Sequence, residues 1–173
     1  MKNYRYVERR NRMIRKIGFW IAEVVACILL AFLIIQFCVQ TITIHGDSMQ
    51  PAYEDGDRVI VNKIHYKIKN PERYDTVVIE LEDESNSYYT VKRILGLPGE
   101  TVQIVDGRVR INGEEIRTPF AEEILSAGLA AYSIELKENE YFVMGDNCNN
   151  SEDSRMANIG NIEKKQLVGK IIR

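Results

Sequence analysis

Apolar positions along this chain fall into two regimes. From Gly18 to Val39 the sequence reads GFWIAEVVACILLAFLIIQFCV, in which only Glu23 and Gln36 are strongly polar. At about 1.5 Å of rise per residue, a helix of this length spans roughly 33 Å, enough for the hydrocarbon core of a bilayer. Trp20 lies near one end, where interfacial aromatics are common. A secretory leader would carry a shorter apolar stretch, about 7–15 residues, closed by a small-residue cleavage site. The residues after Val39 are QTITIHG, without such a site. A soluble core helix would carry a polar face, and this segment shows little of one. The pattern predicts an uncleaved membrane anchor.

After residue 40 the pattern changes to short β-branched runs bounded by turn residues. Asp57–Ile64, Thr76–Leu81, Tyr88–Leu95 and Thr101–Val105 read as strands, with Tyr141–Met144 and Leu167–Ile172 later. Asp106-Gly107 and Asn112-Gly113 are signals for type I′ hairpin turns, and they predict a meander, TVQIV-DG-RVRI-NG-EEI. A short helix is expected around Phe120–Leu129. No internal repeat or low-complexity segment interrupts the body. The expected fold is mostly β: a single transmembrane helix followed by one small antiparallel domain, sheet-like or barrel-like.

Charge divides the chain in the same way. The net charge of −2 hides a basic head on an acidic body. Residues 1–17 hold Lys2, Arg5, Arg9, Arg10, Arg12, Arg15 and Lys16 against Glu8 alone. By the positive-inside rule this head stays cytoplasmic and the body lies outside. The expected organisation is therefore a basic cytoplasmic N-terminus over 1–17, a transmembrane helix over 18–39 and an extracytoplasmic domain over 40–173. No clustered basic face suggests nucleic acid as a partner. Cys27, Cys38 and Cys148 form neither a disulfide framework nor a paired zinc spacing.

The stretch GDSMQP, Gly46 to Pro51, raises the question of chemistry. A serine hydroxyl such as that of Ser48 is a weak nucleophile until a base takes its proton. Histidine is the usual base, but His45 and His65 are the only two, and no histidine follows residue 65. A G-x-S-x-G elbow is also absent. Lysine is the other known solution. Lys92 lies in YYTVKRILGLPGE on an expected strand, where alternation sets Thr90, Lys92 and Ile94 opposite Val91 and Arg93. Holding a lysine neutral at pH 7 costs about 4.6 kcal/mol, which burial can supply if no carboxylate adjoins it. Composition alone favours a solvated strand lysine. A third stretch, GDNCNNSEDSR from Gly145 to Arg155, reads first as a surface loop. Its hydroxyls could orient an amine, and Asp153 with Arg155 could brace the turn.

Together these segments resemble bacterial type I signal peptidase, a membrane-anchored serine protease with a Ser-Lys dyad. The matching stretches are GDSMQPAYEDGDRVIVNK, YDTVVIE, YTVKRILGLPGETV, GDNCNNSEDSR and a closing IG…LVGK, in the family's order after an N-terminal anchor. The resemblance implies a catalytic β domain of signal peptidase type, with Ser48 as nucleophile and Lys92 as general base. It implies that Ser151 orients the lysine and that Asp153 and Arg155 form a supporting ion pair. Met49 and Pro51 match residues that shape the turn, and Arg93 matches a structural basic residue. Two departures stand out. Some members carry a serine where this chain has Gly46, whose hydroxyl helps hold the oxyanion; here that hole would rest on backbone N–H groups, above all that of Ser48. Arginine often stands where this chain has Cys148, which is not expected to act as a nucleophile.

The implied reaction is endopeptidase cleavage through an acyl-enzyme, with no cofactor and no metal. The implied partners are secretory preproteins with small residues at −1 and −3, membrane lipid, and the secretion translocon nearby, with the enzyme in the cell membrane. The alternatives are another Ser-Lys maturation peptidase, or a non-catalytic anchored β domain that binds secreted proteins.

Overall fold

The computed structural model describes residues 2–83, 86–120 and 122–172, with side chains from residue 12 onward except that of Asp83. Helix α1 runs over Lys2–Cys38. Its segment Arg12–Cys38, 27 residues, is apolar and long enough to cross a membrane. Strand β1 (Val39–Thr43) begins at the next residue.

The body contains only antiparallel strand pairs among the described residues. In chain order they are β2 (Arg58–Asn62), a short helix α2 (His65–Ile68), β3 (Thr76–Asp83), β4 (Asn86–Gly96), β5 (Thr101–Val105), β6 (Arg108–Ile111), β7 (Glu114–Glu115), β8 (Ile134–Glu135), β9 (Glu140–Met144), β10 (Ile162–Glu163) and β11 (Leu167–Ile172). They form a seven-stranded sheet in the order β1-β2-β11-β3-β4-β9-β10 and a four-stranded sheet in the order β7-β6-β5-β8. The mostly β expectation holds, and each long expected strand is present.

The hairpin signals also hold. Asp106 and Gly107 have φ of 51° and 72°, and Asn112 and Gly113 have 52° and 84°. Both central residues at positive φ is the requirement of a type I′ turn, whose twist suits the flanking strands. The helix expected over Phe120–Leu129 does not form among the described residues. Its backbone donors are taken by distant partners instead: Ile124 N–H by Gly107 O at 3.0 Å, Leu125 N–H by Asn149 Oδ1 at 2.9 Å, and Leu129 N–H by Arg155 O at 2.9 Å. Only a short 3₁₀ turn, Gly128–Ala131, survives at its end.

Three apolar clusters hold the body. Val102, Val109, Leu136 and Phe142 pack in one, Val77, Ile79, Ile94 and Val143 in the second, and Met49, Val61, Val78 and Val91 in the third. Neighbours Val77 and Val78 fall in different clusters, as the two-residue period of a strand buried on both faces requires. Met49 is 1% exposed, so the residue after Ser48 anchors that turn in the core.

Candidate active site

Ser48 sits in a turn pinned from several sides. Before it, Ile44 N–H donates to Asp57 O at 2.8 Å, and Gly46 N–H donates to the Asp55 carboxylate at 2.8 Å. Gly46 has φ of 82°, and a Cβ there would meet open space. The space for a hydroxyl exists, but the backbone lies in the left-handed region where glycine is strain-free and serine is not. After it, Gln50 N–H closes on Asp47 O at 3.1 Å. From the loop beyond β9, Asn147 N–H donates to Ser48 O at 3.0 Å and Asn147 Nδ2 donates to Asp47 O at 3.1 Å.

Lys92 reaches this turn from β4. It is only 4% exposed, and its Nζ lies 2.9 Å from Ser48 Oγ in a hydrogen bond. Burial lowers the pKa of the amine below its ordinary value; Asp153 and Glu152 pull it back up and Arg155 pushes it down. The nearby carboxylate has other partners. Asp153 is fully buried and accepts Arg155 Nε at 2.8 Å, Arg155 Nη2 at 2.9 Å and Gly145 N–H at 3.2 Å. The bidentate guanidinium offsets part of the field that would otherwise favour an ammonium, and burial remains the largest influence on Lys92. Arg155 is held in turn by the carbonyls of Cys148 at 2.5 Å and Ser126 at 3.0 Å. The arrangement offers a hydroxyl beside an amine whose pKa is lowered by burial, the direction that proton abstraction from serine needs.

The fold therefore brings Ser48 to Lys92 and pairs Asp153 with Arg155. Ser151 differs from what the resemblance implied. Its hydroxyl is buried without a hydrogen-bond partner among the described residues, so no bond orients the lysine. Its Oγ packs instead against Gly145, 2.4 Å from where a Cβ on that glycine would lie. Cys148 is 2% exposed and burial pushes its thiol up, the environment of an inert cysteine. His45 is exposed and makes no hydrogen bond to Ser48.

Sequence reasoning missed the roles of Asn147 and Gly145, and it named Arg93 as structural without its partner. Arg93 binds the Asp146 carboxylate with two nitrogens, at 2.6 and 2.5 Å. Asn147 holds two successive carbonyls of the Ser48 turn. Gly145 permits close approach, since its Cβ would stand 2.4 Å from Ser48 O. The readable signal was Gly-Asp-Asn directly after an apolar strand, with Arg beside Lys92.

A groove of about 270 Å³ opens beside Ser48, lined by Ile42–His45 and by Tyr89–Val91. Among the described residues the outer edge of β1 is unpaired, and β4 meets β9 only from Arg93 onward. Both walls therefore carry free backbone donors and acceptors, the edge chemistry that captures an extended peptide.

Fold and site define a class: an antiparallel β body, preceded in the chain by an apolar helix, that presents a serine hydroxyl to a buried amine. Comparison with known proteins gives the family. The signal peptidase family, peptidase S26, matches over residues 17–173, and this chain belongs to it. It is 36% identical to a signal peptidase I of Bacillus licheniformis, covering 87% of this chain and 83% of that protein. It is equally 36% identical to signal peptidase I T of Bacillus subtilis, over 87% of this chain and 80% of the relative. A crystal structure of a signal peptidase I from Enterococcus faecalis aligns with a TM-score of 0.49 at 27% identity, over 60% of this chain and 98% of that one.

Proposed function

We propose that this protein removes signal peptides from secretory preproteins, with Ser48 as nucleophile and Lys92 as its general base. The observation that carries this reading is the 2.9 Å contact between a 4%-exposed Lys92 and Ser48 Oγ. Neutral Nζ accepts the Ser48 proton as Oγ attacks the scissile carbonyl carbon. The resulting oxyanion takes a hydrogen bond from the Ser48 N–H, which has no acceptor among the described residues. The intermediate collapses as the Nζ proton passes to the leaving amine. Lys92 then deprotonates a water that attacks the acyl-enzyme ester, and Ser48 regains its proton.

The substrate lies in the groove as an added strand, between Ile42–Ile44 and Tyr89–Val91. Alternation in an extended chain sends −1 and −3 to the same side, so both face one shallow wall that takes small residues. Helix α1 anchors the enzyme with the basic head in the cytoplasm and the β body outside, beside the lipid surface where the translocon delivers its substrate. Asp153 and Arg155 support Lys92, and the glycine at 46 leaves the oxyanion to backbone donors.

The test is processing of a preprotein bearing an Ala-x-Ala site by the purified full chain. Ser48→Ala and Lys92→Ala are each expected to stop cleavage. If both variants cleave like the parent, the dyad is wrong.

A further inference from the structure

The contacts around Asn147 have a geometric consequence. The Asp47–Ser48 peptide is trans, so its C=O and N–H point in opposite directions in one plane. Asn147 Nδ2 bonds the Asp47 carbonyl at 3.1 Å, beside the Gln50 N–H on the same oxygen at 3.1 Å, and the two donors hold that plane from the oxygen side. The opposite end of the same plane is the Ser48 N–H. The backbone N–H of Asn147 bonds the next carbonyl, Ser48 O, at 3.0 Å, so the plane on the other side of Ser48 is fixed too.

The other half of the brace runs to Lys92. Asp146, directly before Asn147, is 5% exposed and is gripped by two nitrogens of Arg93. Arg93 directly follows Lys92. The result is a closed ring: Ser48 to Lys92 through the hydrogen bond, Lys92 to Arg93 along the chain, Arg93 to Asp146 through the ion pair, Asp146 to Asn147 along the chain, and Asn147 back to Ser48.

We propose that Asn147 is a positioning residue for the oxyanion donor: its side-chain amide holds the Asp47 carbonyl so that the Ser48 N–H stays aimed at the developing oxyanion. This rests on the reading of Ser48 as nucleophile. Hydrogen bonding at the carbonyl also polarises the amide and strengthens its N–H as a donor, since linked hydrogen bonds reinforce one another. Preorganised donors act only where charge develops, so the effect falls on the transition state and leaves ground-state binding unchanged. Asn147 does not line the groove beside Ser48; it lines a separate cavity with Gln50 and Pro51, so KM is read beside kcat to tell positioning from substrate binding.

The experiment compares Asn147→Asp and Asn147→Ala with the parent on one preprotein and with a peptide boronate, which forms a tetrahedral adduct on a serine. Asn147→Asp keeps size and loses the donor; Asn147→Ala guards against a fold lost to the new charge. The expected result for either variant is a kcat lower by about 10-fold or more with KM within about 3-fold, since an oxyanion interaction acts mainly on kcat. Boronate affinity falls by the same factor as kcat/KM. In Asn147→Ala, which adds no charge, the pH at which kcat/KM levels off, which reports Lys92, stays in place. Parental kcat, a rise in KM alone, undiminished boronate affinity or a pH profile displaced in Asn147→Ala overturns the proposal. Cleavage that survives Ser48→Ala would instead overturn the nucleophile assignment on which it rests.

Discussion

The four-stranded and the seven-stranded sheet differ in how far along the chain their partners lie. In the smaller sheet, β5, β6 and β7 are joined by two-residue turns, with Val102 opposite Ile111 and Ile111 opposite Glu114. In the larger sheet, Asn62 of β2 pairs with Lys170 of β11, and Arg93 of β4 with Met144 of β9. No candidate site residue lies on the smaller sheet. The candidate site is built from long-range contacts: 44 residues separate Ser48 from Lys92, 53 separate Arg93 from Asp146, and 100 separate Asp47 from Asn147. Local hairpins make a scaffold cheaply, because little loop entropy is lost on closing them. A hydroxyl and an amine held apart in sequence can be brought together only once that scaffold is assembled.

The largest break of this contrast is expected from Lys92→Arg. A guanidinium is longer, remains charged and cannot serve as a base. Preprotein cleavage should fall by about 10³-fold or more, as for loss of a catalytic base elsewhere. A variant that retains a tenth of the parental kcat/KM would contradict the role of the lysine. Gly145→Ala comes next. Its methyl would press on Ser48 O and Ser151 Oγ, both 2.4 Å away, and displace the turn rather than unfold the domain. A misplacement of that kind can cost about 10²-fold in rate. Steady-state kinetics beside a circular-dichroism melt will show whether activity falls while the fold remains.

The pH dependence sharpens the same point. The folded Lys92 releases its proton below the ordinary value of 10.5, chiefly because it is buried. kcat/KM should therefore rise with pH and level off before that value. Stability follows the same sign. Between the folded pKa and 10.5 the unfolded chain binds more protons than the folded one, so Lys92 makes stability rise with pH across that window. Lys92→Met should flatten that part of the urea-midpoint profile; an unchanged slope would assign it to other groups.

On the smaller sheet the expected effects are of the opposite kind. Ile111→Ala removes a side chain that is 5% exposed and should cost about 3 kcal/mol of stability, with kcat unaltered below the melting transition. The smallest expected change is Asn112→Ala. It loses the bond from Thr101 N–H to Oδ1 at 2.9 Å and places alanine at a φ of 52°. The cost should be about 1 kcal/mol in a denaturant titration, with no change in preprotein cleavage.

Much of this molecule was legible before folding. The apolar helix, the two Asx-Gly turns and the β-branched strands depend on local pattern, and each appears where the pattern put it. Ser48 and Lys92 were legible through motifs whose order and spacing resemble a family. The short strands β8 and β10 carry only two residues each and leave no periodic trace. The helix expected over Phe120–Leu129 failed because its backbone donors found partners on Gly107, Asn149 and Arg155, which no local window contains.

By itself, then, the sequence determined which groups could do chemistry: one hydroxyl without a histidine to serve it, and a lysine flanked by apolar residues. Only the tertiary structure decided that Lys92 is buried, that Asp153 is taken by Arg155, that Ser151 turns to Gly145, and that Asn147 grips the Ser48 turn. These depend on desolvation and on contacts across the chain, and both exist only after the two regions of sequence have met.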